Sequence, residues 1–348
     1  MKLRVGLVGL GAAWERHHRP ALRALSDRYE VKAVCEQVAL RARNVAEEFE
    51  ATAIDGFRAL ASRPDVDAIL ILSPQWFGAL PILAACDASK AVYCAAALDL
   101  DPATAELVRS RVESSGIAFM AEFPRRHAPA TLRLKELIAT RLGPVKLVFC
   151  HQRLVIKQTC HQDARRQFST SPMLREMIEL VDWCRFVVGR DPASVVSVAH
   201  QAIADQRADY RMLSLEFPNE AQPSTIAQIS CGRYLPAEWQ EAISFRAPTG
   251  MQVCCERGVA FVDLPSRLVW FDEAGRHQES LDTDRPVGEQ LLANFHRAVT
   301  SLLRRTDDLQ DAYQALQIVT AAKESSVSGR RITFDRESRA AGPLPQDR

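Results

Sequence analysis

The sequence predicts an α/β chain in two parts: an N-terminal doubly wound parallel sheet, then an α+β domain with an open, mainly antiparallel sheet. Three observations predict it. Short apolar runs alternate with helical spacings over about the first 120 residues. Gly9-Leu10-Gly11 stands where the first apolar run gives way to a helix. From residue 193 to residue 271, strand-like runs follow one another without helices between them.

Taken in order, Leu3–Val8 is continuously apolar, as a strand covered on both faces requires. A glycine turn and a helix over 15–26 follow, then a strand at 31–35 and a helix at 39–49. Arg63-Pro64-Asp65 is a turn signal before a buried strand at 68–72. The spacing next predicts helix 80–88, strand Ala91–Cys94, helix Pro102–Ser115 and strand 117–122. Short connections between such elements give right-handed crossovers and a parallel sheet. After Phe123 the pattern is a helix at 130–140, a strand from 145 to 151, and a long amphipathic helix at 173–188 ended by Gly189. Runs at 193–199, 211–217, 225–231, 242–247, Met251–Cys255, Gly258–Asp263 and 267–271 then read as antiparallel strands with one helix-covered face. Helices at 289–303 and 308–326 close the chain. The expected partition is 1–123, 124–334 and a disordered tail at 335–348, which carries Gly342-Pro343 and Pro345.

A chain of 348 residues suits two domains. Lys plus Arg number 44 against 43 Asp plus Glu, which excludes nucleic acid or an anionic membrane as the main partner. Lys2 and Arg4 before Val5–Ala13 have the outline of a signal peptide, but the stretch continues as a strand into a glycine turn. No apolar run reaches the roughly 18 residues that span a bilayer, so the cytoplasm is expected. Nine cysteines, none in a C-x-x-C pair, imply reduced and mostly buried thiols. Cys150-His151 and Cys160-His161 repeat at ten residues, whereas zinc ligands come in closer pairs, so no metal is expected.

Within the glycine turn, Gly9 permits the tight bend and Gly11 lets backbone approach a pyrophosphate, with Ala12 and Ala13 leading into the helix. This is the sign of a dinucleotide-binding Rossmann domain. Trp14 replaces the third small residue, and its indole is expected either to turn outward or to fill the phosphate space. Glu36 ends the second strand, where it suits a ribose hydroxyl and repels a 2′-phosphate, so NAD is expected over NADP. Ser73, Pro74 and Gln75 follow the strand at 68–72 and complete the expected cofactor cleft, with Trp76 beside them.

The stretches at residues 5–11, 17–22, 31–36, 65–74, 116–126, 182–189 and 324–329 together resemble the Gfo/Idh/MocA (glucose–fructose oxidoreductase / inositol dehydrogenase) family over nearly the whole chain. The resemblance implies a Rossmann domain followed by an open sheet that often forms a dimer or tetramer interface. It also implies sugar, inositol or polyol substrates, and hydride transfer between a carbinol and a nicotinamide. In the family a Glu-Lys-Pro lysine contacts the reacting oxygen, and an aspartate and a histidine four residues apart on the long helix complete the site. This chain has Ala95-Ala96-Ala97, so Ala96 stands at the lysine position, with Arg175 and Glu179 at the helix pair. Gly78 stands where the family carries a further histidine after its Ser-Pro segment.

A methyl group at Ala96 cannot carry a proton, and an arginine pKa is too high for Arg175 to shuttle one near neutrality. Glu179 can act as a base if desolvated, although its spacing from Arg175 suggests an intrahelical ion pair. Glu122 and Tyr93 are further candidates for proton transfer. Arg125, Arg126 and His127 join Arg175 and Glu179 as substrate candidates. Adjacent arginines suit a carboxylate or phosphate, or else pin two domains through backbone carbonyls. His151, Arg153, Lys157, His161, Arg165 and Arg166 make 150–167 locally basic, fit for an anionic ligand or a solvated surface. The expectation is an NAD(P)-binding relative with impaired or lost dehydrogenase chemistry, binding a sugar-like or anionic small molecule as a homodimer or homotetramer. The alternative is an NAD-dependent oxidoreductase with relocated acid/base residues. A non-redox enzyme finds no nucleophile motif or paired carboxylates in its support.

Overall fold

Six parallel strands form the first sheet of the computed structural model: β1 (Leu3–Val8), β2 (Tyr29–Cys35), β3 (Thr52–Ala53), β4 (Ala68–Ile71), β5 (Ala91–Cys94) and β6 (Phe119–Ala121). The structure describes residues 2–11, 13–95, 100–156, 172–201, 209–218, 223–236, 239, 241–242, 245, 248–281, 285–301 and 307–334. The expected tail at 335–348 lies outside them. The strand order is β3-β2-β1-β4-β5-β6, so the chain reverses its winding direction between β1 and β4, where open α/β sheets bind ligands at the carboxyl ends. Every residue of β4 and β5 is buried, as an apolar strand sandwiched between helical layers must be. The helix Pro102–Ser115 shows why these crossovers are short and well defined. Asp101 accepts from Thr104 N at 3.0 Å, Pro102 opens the first turn, and Gly116 closes it with a φ of 61°.

The helix expected at 15–26 is two segments, a π-helical turn at Trp14–His18 and an α-helix at Arg19–Ala24. Pro20 lies in the first turn of the α-segment, where its missing N–H costs nothing. The wider π turn resets which side chains face the sheet: His17 is exposed and His18 buried.

The second sheet holds nine strands: β7 (Val145–Ile156), β8 (Ser194–Gln201), β9 (Asp209–Phe217), β10 (Thr225–Pro236), β11 (Met251–Cys255), β12 (Gly258–Asp263), β13 (Arg267–Asp272), β14 (Gly275–Ser280) and β15 (Ile332–Thr333). Its order is β14-β13-β12-β11-β7-β10-β9-β8-β15, antiparallel throughout except for the parallel β10–β7 pair. Alternation sorts the faces. Val148, Cys150, Leu213, Leu215, Ala227 and Ile229 point into the core, while Leu147, Phe149, Val196, Val198 and Ile226 remain exposed on the other face. The run at 242–247 is not a strand where it is described. Glu241–Ala242 are helical and Phe245 N donates to Glu241 O at 2.8 Å, a turn closure that no sheet ladder competes with.

The fold divides into two compact units. One comprises Met1–Pro129, Thr159–Asp182 and Asp282–Gln317, and the other Ala130–Gln158, Trp183–Leu281 and Ile318–Arg348. The first unit thus takes in two later segments that a linear division at residue 123 assigns to the second domain. They join it through contacts such as Tyr29 Oη donating to Leu292 O at 2.6 Å. Among the described residues, no helix is long and apolar enough to cross a membrane.

Candidate functional site

The turn after β1 is built by close approach of backbone. Gly9 has a φ of +75°, and a Cβ added there would lie 2.5 Å from Ser73 Cβ. One added at Gly11 would lie 2.1 Å from Leu72 O. Both glycines are therefore demanded by the end of β4 as much as by any phosphate. Glu36 folds over the same turn: its Oε2 accepts from Leu10 N at 2.6 Å and its Oε1 from Gln37 N at 2.8 Å. Arg41 donates to Leu10 O at 2.9 Å from the other side. A carboxylate with about four lone-pair sites keeps acceptor capacity for ribose hydroxyls after those two bonds.

Trp14 corrects an expectation. Its indole neither turns outward nor fills the turn; it is 1% exposed and packs on Phe49 with ring centroids 6.0 Å apart. The core that receives it includes Leu10, Leu22, Val45 and Leu291. The glycine turn is left bare, and the residues present fit a dinucleotide. Ala13 begins the π turn, and Ser73 is buried beside Gly9 with Pro74 opening the helix Pro74–Phe77. Ala12 and the side chain of Gln75 lie outside the described residues. Trp76 is partly exposed, and Gly78 ends its helix with a φ of 59° and a ψ of −142°. Only glycine adopts that conformation readily, which explains why no histidine stands there.

The acid/base candidates gather in the same compact unit. Glu122 extends β6, its N donating to Cys94 O at 2.9 Å, and its carboxylate meets His18 Nε2 at 2.9 Å. Both are buried, as is Tyr93, whose ring meets His18 edge-on. Burial, and after it the charge of Glu122, raises the Tyr93 hydroxyl well above its ordinary pKa, so it stays neutral. The turn Pro124–His127 follows Glu122 directly. Arg125 bonds Glu176 and places its Nε 3.3 Å from Glu179 Oε2. The guanidinium against Glu179 is thus Arg125, 54 residues away, where the helical spacing had suggested Arg175. Burial pushes the Glu179 carboxyl up to about 7, with Arg125 opposing the shift and the charges of Glu176 and Glu122 adding to it.

Arg126 is held by Asp182, to which its Nε donates at 2.6 Å, and by Asp311 at 2.6 Å. Burial works against its charge, but the hydrogen bonds and charges of those two aspartates overcome this and raise its pKa. The adjacent arginines therefore engage carboxylates of the chain itself. His127 is lowered by burial and then by Arg126, and stays neutral at pH 7. Arg175 lies one helical turn before Glu179 on Pro172–Val188. Ala96 lies outside the described residues.

Elsewhere the basic stretch at 150–167 is described only to residue 156, along β7. There His151 pairs with Ser230 at 2.6 Å, and Arg153 donates to Phe245 O at 3.2 Å. Lys157, Cys160, His161, Arg165 and Arg166 lie outside the described residues. Among those described, no group of three or more His, Cys, Asp or Glu side chains could hold a metal ion. The sequence reading did not single out His18, since nothing in His17-His18 distinguishes the buried member from the exposed one. Only the π turn does.

A model of the GFO_IDH_MocA oxidoreductase family, NAD-binding Rossmann fold, matches residues 3–123. An inositol 2-dehydrogenase of Acidothermus cellulolyticus is 31% identical over 185 residues, covering 52% of this chain and 53% of that protein. A D-xylose 1-dehydrogenase (NADP(+)) of Haloferax volcanii is 30% identical over 141 residues, covering 40% and 43%. The chain thus matches about half the length of these curated relatives. The crystal structure of an aldose–aldose oxidoreductase from Caulobacter crescentus superposes with a TM-score of 0.81 at 17% identity, over 96% of this chain and 100% of that one. At that identity the likeness establishes the fold.

Proposed function

Because residues 3–123 belong to the Gfo/Idh/MocA oxidoreductase family, we propose that the chain is a nicotinamide-dependent oxidoreductase of a sugar or polyol, with Glu179 as its acid/base group. The observation that carries this reading is the placement of the Glu179 carboxyl 3.3 Å from Arg125 Nε, on a guanidinium it shares with Glu176, where burial pushes it up to about 7. A proton-transfer group works best when its pKa lies near the working pH. Glu179 also occupies the position that the family resemblance gives to a histidine, so a group of matching proton affinity replaces the imidazole.

The cofactor would be held by the bare backbone of Gly9 to Gly11, with Ala13, Ser73 and Pro74 about it and Glu36 reading the ribose. Glu36 repels a 2′-phosphate, which favours NAD over NADP. When bound, the nicotinamide supplies the two-electron acceptor that takes a hydride from a carbinol carbon. Glu179 accepts the hydroxyl proton during oxidation and returns it during reduction. Arg125 steadies that carboxylate and sets a fixed positive charge near the oxygen where negative charge develops. His127 and Arg175 complete the polar lining. The curated relatives' names point to inositols and pentoses as the substrate class. The eight cysteines among the described residues are thiols, in keeping with a reducing cytoplasm.

A second reading, a ligand-binding relative without dehydrogenase chemistry, is favoured by Ala96 and by Gly78, whose backbone excludes the family's histidine. Two measurements separate the readings. Calorimetric titration with NAD⁺, NADH, NADP⁺ and NADPH is expected to give micromolar binding of the non-phosphorylated pair. NAD⁺ reduction is then assayed against myo-inositol, D-xylose and related polyols. Cofactor binding with turnover that fails in Glu179→Gln supports the first reading. Binding without turnover supports the second, and no binding of any dinucleotide removes both.

A further inference from the structure

We propose that the cavity among the helices Phe57–Ala61, Leu80–Asp87 and Pro102–Ser115 is a second ligand site, one that takes a small amphiphilic anion. A carboxylate or phosphate head lies against Arg58 and Lys90, and an aliphatic body lies against Leu80, Leu83 and Leu107.

The cavity measures about 650 Å³, the size of a pocket for a small organic molecule. It is separate from the glycine turn. Lys90 directly precedes β5, and Val66, whose carbonyl it holds, comes just before β4, so the cavity lies at the amino ends of these strands. The glycine turn follows the carboxyl end of β1, which runs parallel to them, and so stands at the opposite edge of the sheet.

The wall makes two demands at once. Leu80 and Leu107 are 50% and 49% exposed, and with Leu83 they present an apolar surface to water. Three cations and one carboxylate stand around it. Asp87 is that carboxylate, and Arg111 pairs with it. Lys90 Nζ donates to Arg63 O at 3.1 Å and to Val66 O at 2.7 Å, neutral acceptors that leave its charge uncancelled. The Arg58 guanidinium has no hydrogen bond or ion pair with any described residue. Glu106 and Glu113, on the helix of Leu107 and Arg111, are taken by Arg109. Two positive charges thus remain uncompensated by the wall of an apolar concavity, which focuses their field. An inorganic anion would answer the charge and leave the leucines wet. An uncharged hydrocarbon would cover the leucines and strip water from the cations with nothing in return. A molecule with both parts meets both demands.

The test is calorimetric titration of the full chain with octanoate and with octyl phosphate. Octyl glucoside, acetate and inorganic phosphate serve as probes of one part alone. Saturable binding of one equivalent of an amphiphilic anion is expected, about tenfold or more tighter than any of the three partial probes. Either anion supports the proposal, and the tighter of the two names the head group. Arg58→Glu alters an exposed side chain and should fold; it is expected to weaken binding by about tenfold or more. Leu107→Gln is expected to weaken it severalfold, while Leu40→Gln, at an exposed leucine on the helix Ala39–Glu48, leaves it unchanged. Should Leu107→Gln fail to fold, Arg58→Glu alone decides. No saturable binding of either amphiphilic anion overturns the proposal. Equal binding of octyl glucoside overturns it by leaving apolar contact alone, and equal binding of acetate or phosphate by leaving charge alone. Binding that survives Arg58→Glu unchanged places the anion elsewhere and overturns it as well.

Discussion

Arg125 Nε lies 3.3 Å from Glu179 Oε2, and burial nevertheless pushes the Glu179 carboxyl up to about 7. An arginine so placed ordinarily holds a carboxylate in the acid range. Here the guanidinium also serves Glu176, and burial outweighs what remains. The rate of substrate oxidation should therefore rise with pH through about 7 as Glu179 becomes a base. Glu179→Gln should lower kcat by about 10²–10⁴-fold and flatten the profile. Steady-state kinetics across that range checks this, and an unchanged rate would remove Glu179 from the mechanism.

The same shift has a cost in stability. The ordinary carboxyl value is 4.5 and the folded value about 7, so between them the folded state binds more protons than the unfolded one. Stability is therefore full below about 4.5 and declines as pH rises toward 7. Glu179→Gln carries no such penalty and should be the more stable protein at about pH 8, by on the order of 1–3 kcal/mol. Near pH 4.5 the advantage should vanish, which urea unfolding at the two pH values reads directly.

The sheet strands were legible because burial on both faces leaves a continuous apolar run, as in Ala91–Cys94. That Glu179 lies on a long helix was legible too, from the amphipathic spacing over 173–188. Its proton affinity was not, because that depends on burial and on Arg125, which arrives from a turn more than fifty residues earlier. Trp14 misled for a related reason. A one-dimensional motif assigns a residue to the phosphate turn, whereas a π turn rotates the side chain into the core. Short strands such as Thr52–Ala53 and Ile332–Thr333 carry no periodicity and exist only through their pairing.

Trp14 is thus a core residue standing in a binding motif. Trp14→Gly restores the family's small residue but should destabilise the chain by about 3–5 kcal/mol without improving dinucleotide affinity. Trp14→Phe should cost less, since the indole Nε1 is buried without a partner and its removal leaves nothing unsatisfied. Thermal unfolding alongside NADH titration separates the two effects. Tighter NADH binding by a folded Trp14→Gly protein would show that the indole does obstruct the turn.

The exposed face of the nine-stranded sheet is the surface on which the expected pairing with a second copy is tested. Register places Leu147 opposite Ile226 and Phe149 opposite Gln228, and Val196, Val198 and Met212 continue the same shallow apolar groove. Strands carrying exposed Leu, Phe, Ile and Val side by side are unusual on a monomer. If the wild-type chain sediments as a dimer or tetramer, Phe149→Asp should convert it to monomer, read by sedimentation velocity. A wild-type chain that sediments as a monomer would show that the face has another use.

Arg126 fixes the turn that carries Arg125, and it does so through charge rather than packing. Its partner Asp182 is 1% exposed and Asp311 comes from a different segment of the same unit. Removing the guanidinium leaves Asp182 as a buried carboxylate without its bidentate donor, which ordinarily costs about 3–5 kcal/mol. Arg126→Gln should lower stability by that order. Arg126→Lys should recover only part of it, because one ammonium cannot span the two oxygens of Asp182 while reaching Asp311. The charge origin of the loss is testable in the same experiment: Asp182→Asn in the Arg126→Gln background removes the buried carboxylate charge and should restore part of the stability. A double variant no more stable than Arg126→Gln alone would mean that Arg126 acts by filling space, in contact with the Phe123 ring at 5.0 Å, and not by neutralising Asp182.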